Sequence, residues 1–226
     1  MSSKDLFELG GAYDELLRRG IALAGESPGY FIDGRIAHLR SRLGEDTTIK
    51  SILDLGCGVG DACARLADAF GASVTGVDVA RGAVEEARRR IGDERVQFAL
   101  LGDLADTRFD LCYVNGAFHH MAASQWPGVT RRIAQLVRPG GVFALFENNP
   151  WSVPARLVMR RIPFDRDVTL LRPAVAQRLL EEAGFATAAT DYLFFFPRRL
   201  KSLRRGESLL QRVPLGAQYL VTGRRS

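Results

Sequence analysis

SILDLGCGVGD, residues 51–61, is the strongest structural signal in this chain. The run begins as a short apolar segment typical of a buried β-strand and ends that segment in Asp54. Glycines follow at alternate positions, 56, 58 and 60. A helical pattern begins directly afterwards, so this turn brings backbone close to a ligand at a helix N-terminus. The usual dinucleotide fingerprint has its third glycine one residue later, where this chain has Asp61, and NAD or FAD is therefore disfavoured.

Short apolar strands alternate with amphipathic helices on both sides of this turn, which predicts βαβ units and a parallel sheet. We predict strands near 50–55, 73–78, 95–100, 109–114, 141–147, 185–193 and 217–222. We predict helices at 4–23, 31–43, 60–70, 81–91, 124–137 (with Ser124 as its N-cap) and from Pro173 to before Gly184. The expected fold is a doubly wound α/β, Rossmann-like, mostly parallel sheet of seven strands with N-terminal helices and lid insertions.

The length of 226 residues predicts a single domain, because one α/β domain of this size can bury a sufficient core. We expect an N-terminal helical cap over 1–48, a ligand-binding core over 49–147 and a substrate-side half over 148–226. Two segments of the last part, 148–172 and 194–214, break the alternation and are expected to act as lids.

The composition indicates a cytoplasmic protein without a structural metal. No apolar run approaches the roughly 20 residues that cross a bilayer, and the N-terminus carries acids where a signal peptide is apolar. The spacing and odd number of the three cysteines, Cys57, Cys63 and Cys112, favour neither a zinc site nor a disulfide framework. The formal charge of +5 fits an anionic partner or simply a solvated arginine-rich surface.

Four further stretches accompany the glycine turn in a fixed order. They are GVDVA at 76–80, LLGDLAD at 100–106, FDLCYVNGAFHHM at 109–121 and RPGG at 138–141. Together with residues 51–61 they resemble the ordered motifs of the class I S-adenosylmethionine-dependent methyltransferases, in particular a small-molecule, ubiquinone- and menaquinone-methyltransferase-like branch. The resemblance covers roughly 50–147 and implies S-adenosylmethionine as cofactor, with S-adenosylhomocysteine as product.

The resemblance also implies cofactor-binding residues. Asp54 and the glycines would surround the methionyl end, Asp78 would bridge the ribose hydroxyls with Val79 beside it, and Asp103 would bind the adenine amino group. The full set is Tyr30, Arg35, Asp54, Gly56, Gly58, Gly60, Asp78, Val79, Asp103, Leu104 and Asn115. Tyr30 and Arg35 would cover the methionyl carboxylate; the alternative is that Tyr30 is packing and Arg35 a surface charge.

Two adjacent histidines are the candidate general bases. His119 and His120 lie just past the end of a predicted strand, where open α/β sheets bind ligands, and His120 is favoured because it ends its motif. Glu147 is a secondary candidate, and both histidines could instead pack against cofactor or loop. Orientation alone supplies ~7–11 kcal/mol, whereas a base supplies about 10²–10⁴-fold, so methyl transfer can proceed without a strong base.

The lid segments indicate the type of acceptor. Aromatic residues predict an apolar or aromatic pocket, and arginines could hold an acidic group or be solvated. The residues are Trp151, Phe164, Tyr192, Phe194, Phe195 and Phe196, with Arg156, Arg160, Arg161 and Arg166. We therefore predict a small-molecule methyltransferase, with oxygen as the preferred acceptor atom and nitrogen or carbon as alternatives.

Three other functions remain open. RRLKSLRR at 198–205 lies between phenylalanines and leucines, so residues 194–205 could touch a membrane that holds a lipid-like or polyprenyl substrate. Nucleic-acid modification ranks lower, because NGAF at 115–118 stands where base-amino methyltransferases carry an Asn/Asp-Pro-Pro-aromatic motif, and no nucleic-acid partner is expected. A protein that binds the cofactor without transferring methyl is the fourth possibility.

Overall fold

The computed structural model describes residues 25–44, 46–104, 107–162, 168–187 and 189–226. The predicted helix at 4–23 and the residues Phe164 and Arg166 lie outside this part of the chain. The helices are α1 (Pro28–Leu43), α2 (Cys63–Phe70), α3 (Arg81–Arg90), α4 (Trp126–Leu136), α5 (Val153–Met159), α6 (Pro173–Glu182) and α7 (Glu207–Leu210). Short 3-10 segments occupy Leu101–Asp103, Phe118–His120, Ala123–Gln125 and Arg198–Gly206.

The strands form one mixed sheet. They are β1 (Ser51–Leu55), β2 (Ser73–Asp78), β3 (Val96–Leu100), β4 (Phe109–Asn115), β5 (Val137–Asn148), β6 (Phe185–Thr187), β7 (Asp191–Leu193) and β8 (Gln218–Arg225). Their order is β3-β2-β1-β4-β5-β8-β6, with β7 also paired to β8. The pairs among β1 to β5 are parallel, and β8 is antiparallel to each of its neighbours. The predicted doubly wound α/β class is confirmed.

The sheet has eight strands because the strand predicted at 185–193 is two strands, β6 and β7. Thr187 pairs with Gly223 and Asp191 with Leu220, so four steps along the chain face three steps along β8. The extra residue interrupts the ladder, as in a β-bulge.

Two other boundaries differ from their predictions. Strand β5 begins at Val137, where it pairs with Phe109, and the Pro-Gly-Gly stretch then bulges out before Leu111 pairs with Val142. Ser124 is not the N-cap of α4; it lies inside a 3-10 turn, and the helix starts at Trp126 without a side-chain cap.

Because side chains alternate along each strand, a hydrophobic cluster forms on each face of the sheet. On β1, Leu53 joins the cluster that contains α4 and α6, whereas Ile52 joins the cluster that contains α1, α2 and α3. Cys63 and Cys112 are buried free thiols within these clusters, and Cys57 is half-buried. In the described residues no helix is long and apolar enough to cross a membrane.

Candidate functional site

The glycine turn after β1 is shaped by packing at two positions and open at a third. All three glycines have left-handed φ values, +79° at Gly56, +54° at Gly58 and +84° at Gly60. A Cβ on Gly56 would lie 2.8 Å from the Cβ of Ala117, and one on Gly60 would lie 2.7 Å from the Phe98 ring. A Cβ on Gly58 would meet nothing within 4 Å. Gly58 therefore faces open space at the carboxyl edge of the sheet, where open α/β folds bind ligands.

Asp78, at the end of β2, holds this turn in place. Its Oδ2 accepts a hydrogen bond from the backbone N–H of Gly58 at 2.9 Å, and its Oδ1 accepts one from Ala80 at 2.9 Å. The Val77 carbonyl accepts from Gly56 and Cys57. A carboxylate has about four acceptor positions, so Asp78 keeps capacity for a further donor while it orders the turn.

Asp54 is a buried carboxylate beneath the turn. It is 3% exposed, and burial raises its pKa from 3.8 to about 7. The Cys63 thiol, which donates to its Oδ2 at 3.2 Å, and the charge of Arg35 lower the pKa, whereas the charge of Asp78 raises it further. A cationic group placed beside Asp54 would stabilise the ionised form.

Arg35 is a buried residue of α1, not a surface charge. Its Nε donates to the Tyr113 hydroxyl at 3.2 Å, and one terminal nitrogen donates to Oε1 of Gln218 at 3.0 Å. The surface-charge alternative is therefore wrong. Arg35 places a fixed positive charge in the sheet core near Asp54.

Tyr30 lies on the first turn of the same helix and packs under the second lid segment. The Arg204 guanidinium carbon lies 4.5 Å from its ring centroid, and the rings of Phe31 and Phe194 lie 5.3 and 6.0 Å away. Burial raises the pKa of the Tyr30 hydroxyl. Tyr30 thus links α1 to the second lid segment by packing, and its role as a cover for the methionyl carboxylate stays a prediction.

Three predicted cofactor residues follow the ends of β2 and β3, which are neighbours in the sheet. Val79 is 79% exposed, although it lies between Asp78, which orders the glycine turn, and the buried Ala80. Asp103 is exposed on the 3-10 turn after β3, and Leu104 is half-buried against the core. These side chains occupy the same edge of the sheet as the glycine turn.

A buried histidine–glutamate pair lies beside the glycine turn. Nδ1 of His119 is 2.6 Å from Oε2 of Glu147, and Oε1 of Glu147 accepts the backbone N–H of Phe118 at 2.8 Å. His119 is 4% exposed and Glu147 is fully buried, while His120 is exposed with its ring 4.1 Å from that of His119. The sequence interpretation treated Glu147 as a separate base and missed this pair. Glu147 lies near the carboxyl end of β5 and His119 follows the end of the neighbouring β4, which is the signal that could have revealed the pair.

Two asparagines at this edge differ in role. Asn115 ends β4, and its Oδ1 is buried without a hydrogen-bond partner among the described residues. Asn149 is fully buried, donates to the carbonyls of Pro214 and Gly216, and accepts from the N–H of Trp151. Within the described part of the chain, the Oδ1 atom of Asn115 could therefore accept a hydrogen bond from a ligand. Asn149 instead holds the loop after β5 against the residues just before β8.

A separate groove of about 330 Å³ lies at the amino edge of the parallel strands. Its charged residues bind one another: Asp110 accepts from the backbone of Lys50 and Ser51 and pairs with Arg138 at 2.7 Å. These contacts tie β1, β4 and β5 together. No predicted site residue lines this groove, and its charged residues serve to hold the strands together.

Comparisons with known proteins identify related domains and chains. Residues 52–141 match the model of a methyltransferase domain family. The chain is 33% identical over 145 residues to an O-methyltransferase, cnsE, of Penicillium expansum, covering 59% of this chain and 51% of that protein. It is 32% identical over 152 residues to the uncharacterized methyltransferase sll0829 of Synechocystis, covering 64% of this chain and 70% of the relative.

Solved structures give the same fold. Magnesium protoporphyrin IX methyltransferase of Synechocystis, solved with bound S-adenosylhomocysteine, superposes with a TM-score of 0.67 at 18% identity, covering 99% of this chain and 98% of that one. The chain spans 36% to 51% of the length of the first curated relatives that it matches. On the Synechocystis relative, the matched domain and the motif geometry, this chain belongs to the class I S-adenosylmethionine-dependent methyltransferase family.

Proposed function

We propose that this chain transfers a methyl group from S-adenosylmethionine to a hydroxyl oxygen of a small apolar or aromatic molecule. The observation that carries the proposal is the contact between two features: the Ala117 methyl packs where Gly56 lacks a side chain, which places the His119–Glu147 pair directly beside the glycine turn. A cofactor cradle and a proton acceptor are thereby adjacent. The name of the Penicillium relative, an O-methyltransferase, supports oxygen as the acceptor atom.

The residues present fit the cofactor. Gly58 opens onto empty space, the buried Oδ1 of Asn115 needs a donor, and the buried Asp54 carboxylate would be stabilised by an ammonium. We propose that these residues hold the methionyl end and that Asp78 and Asp103 take the ribose and adenine. When bound, the cofactor supplies an electrophilic methyl group on a sulfonium.

His119 is the base that we favour over His120. Its Nδ1 is held by Glu147, which fixes the ring orientation and stabilises the imidazolium formed when Nε2 takes the hydroxyl proton. His120 has the exposed position and packs against this ring, so it can contact the acceptor or shape its entry. The resemblance to the ubiquinone- and menaquinone-type branch remains a prediction about the acceptor.

Two measurements on His119→Ala and His120→Ala test the assignment. Calorimetric titration with S-adenosylhomocysteine reports donor binding, and mass gain of one methyl on a panel of phenols, alcohols and amines reports transfer. We expect donor binding to persist in both variants and transfer to fall by about 10²–10⁴-fold in His119→Ala only. Absence of donor binding by the unmodified chain would contradict the proposed function itself, and equal loss in both variants would contradict the choice of His119.

Glu147→Gln separates positioning from proton transfer. The amide keeps the size of the side chain but cannot stabilise an imidazolium, so the acidic limb of the pH profile of transfer should shift to lower pH, because the imidazolium loses its proton more readily without a carboxylate partner. An unchanged pH profile together with lower activity would indicate that Glu147 only supports the fold.

A further inference from the structure

Exposed apolar side chains are concentrated in two segments beyond the carboxyl edge of the sheet. Eight large hydrophobic residues are exposed in the described chain, and seven of them lie in these two segments. The eighth is Val79, which follows β2. The other seven are Trp151, Val153, Leu157, Leu200, Leu203, Leu209 and Leu215. Asn149 joins the two segments by donating to the carbonyls of Pro214 and Gly216. We call residues 151–157 and 198–215 the lid surface.

The second segment of the lid surface is strongly cationic on its outside. Exposed cations alternate with the leucines along the 3-10 segment and are Arg198, Arg199, Lys201 and Arg205. Among the described residues none of the four has a carboxylate at ion-pair distance. Glu207 is the only acid between 198 and 215, and its Oε1 is turned inward to accept from the backbone N–H groups of Phe195 and Phe196.

One arginine of this segment anchors it to the site. Arg204 donates to Oε1 of Glu26 at 2.8 Å and to the Phe196 carbonyl at 3.0 Å, and its guanidinium lies over the Tyr30 ring. Arg204 therefore holds the inner side of the segment against the residue proposed to cover the cofactor. The leucines and the four exposed cations lie on the outer side, where Arg198 donates to the Gly25 carbonyl.

We propose that the lid surface binds an anionic phospholipid bilayer. The leucines and Trp151 would enter the boundary between headgroups and acyl chains, and the four cations would meet lipid phosphates. An acyl layer accepts apolar side chains in any arrangement, whereas an acidic protein needs a complementary shape, so the alternation of leucine and cation favours the bilayer. Docking there would turn the lid surface toward lipid, and the acceptor is then lipid-soluble; this consequence rests on the proposed methyl transfer, while docking does not.

Vesicle co-sedimentation of the full chain tests the proposal. The probes are phosphatidylcholine vesicles with and without phosphatidylglycerol, at low and high salt. The charge variant is Arg199→Gln with Arg205→Gln, and the apolar variant is Leu203→Ser with Leu209→Ser. Arg108→Gln with Arg131→Gln is the matched control, because it removes the same charge from exposed positions outside the lid surface.

We expect binding to anionic vesicles only, reduced by salt and by roughly fivefold for each cation removed. Both lid variants should lose binding and the control should keep it, while calorimetric affinity for S-adenosylhomocysteine stays unchanged in all. The proposal is overturned if anionic vesicles do not sediment the protein at low salt, if the control loses as much binding as the charge variant, or if an acidic carrier protein binds where vesicles do not. Donor binding without vesicle binding would remove the membrane partner and leave the proposed function standing.

Discussion

Asp54 is buried, and a second carboxylate, that of Asp78, lies near it. Burial raises its pKa to about 7, and the negative charge of Asp78 adds to the rise. An acid with a raised pKa retains its proton in the folded state at pH values where the unfolded chain has lost it. Above pH 7 the ionised Asp54 carboxylate is therefore destabilised by its buried surroundings, and a cationic ligand would offset that cost.

This predicts a pH-dependent affinity for the cofactor. Below the pKa of about 7 a ligand ammonium must displace the Asp54 proton, so affinity for S-adenosylhomocysteine should fall by up to about tenfold for each pH unit. Asp54→Asn should bind weakly and show a flat profile over the same range. Calorimetric titration on both sides of pH 7 measures this, and the same slope in the variant would assign the pH dependence to another group.

Gly58 and Gly60 form a matched pair for separating binding from stability. Alanine at either position costs about 1–2 kcal/mol because φ is left-handed. At Gly60 the new methyl also collides with Phe98, adding about 1–3 kcal/mol, whereas at Gly58 it enters open space. Urea unfolding should show the larger loss for Gly60→Ala, and calorimetry should show that Gly58→Ala weakens cofactor binding in a folded protein. A larger stability loss for Gly58→Ala would contradict the packing argument.

At the scale of elements, Asp191 ties α1 to β7 and to the chain that returns to β8. Its Oδ2 lies 3.0 Å from Nε2 of His38 and 2.9 Å from Nε of Arg42, and its Oδ1 lies 2.8 Å from Arg212. Burial tends to raise the pKa of Asp191, but the His38 hydrogen bond and the two arginine charges outweigh burial and lower it. The ionised carboxylate therefore stabilises the fold.

We expect Asp191→Asn to lower the free energy of unfolding by about 1.5–3 kcal/mol at neutral pH, since it weakens the charge-assisted hydrogen bonds of a buried side chain to His38, Arg42 and Arg212. Because the folded pKa is below the unfolded value of 3.8, this contribution is present above pH 3.8 and is lost as pH falls through the folded pKa. The difference between variant and unmodified chain should shrink in acid. Denaturant unfolding at several pH values measures it, and a constant difference would show that packing rather than charge is responsible.

Helix α1 and the second lid segment pack closely against each other at Gly34. Phe194 has an unusual left-handed φ of +62°, and its ring occupies the place of a side chain at position 34, where a Cβ would lie 2.7 Å from Cε1. Alanine gains about 1 kcal/mol in helix propensity, but overpacking costs about 1–3 kcal/mol, so Gly34→Ala should destabilise. Gly128→Ala, on α4 with no atom within 4 Å, should instead stabilise by about 0.5–1 kcal/mol. Thermal unfolding compares the two variants. Stabilisation by both would contradict the close packing of Phe194 against position 34.

For the whole molecule, most of the residues proposed to bind ligand come from the carboxyl edge of a parallel sheet, contributed by β1, β2, β3 and β4 and by the turns after them, and Tyr30 joins them from α1. No single segment contains the site. A ligand that bridges these turns should therefore stabilise the entire fold, because it binds the folded state only.

S-adenosylhomocysteine at 100 times its dissociation constant should add about 2.7 kcal/mol and raise Tm by about 5–11 °C. NAD is the control ligand, since Asp61 stands where a dinucleotide fingerprint has glycine, and it should leave Tm unchanged. Differential scanning calorimetry measures both. An equal shift with NAD would contradict the assignment of the glycine turn.

Local pattern was sufficient for the strands of the sheet and the helices between them, but α5 and α7 lie in segments that the sequence predicted only as lids. Predicted strand bounds at 73–78 are those observed, and those of β1 and β3 differ by one residue at one end, because apolar runs between turn residues report burial directly. The glycine turn and its acids were likewise recognisable, since their spacing along the chain is the signal. The same pattern could not separate β6 from β7, because an inserted residue changes pairing and leaves composition untouched.

Only the tertiary structure decided which side chains meet. His119 and Glu147 are 28 residues apart and become partners because β4 and β5 are neighbours in register, and Arg35 reaches Tyr113 across 78 residues because α1 packs on β4. Burial was also invisible beforehand: Arg35 is enclosed, while Val79 is 79% exposed. A sequence records the periodicity that makes each element, because that depends on near neighbours along the chain. Hydrogen-bond partners, pKa shifts and exposed faces depend on how strands align and helices pack, so they appear only once the chain is folded.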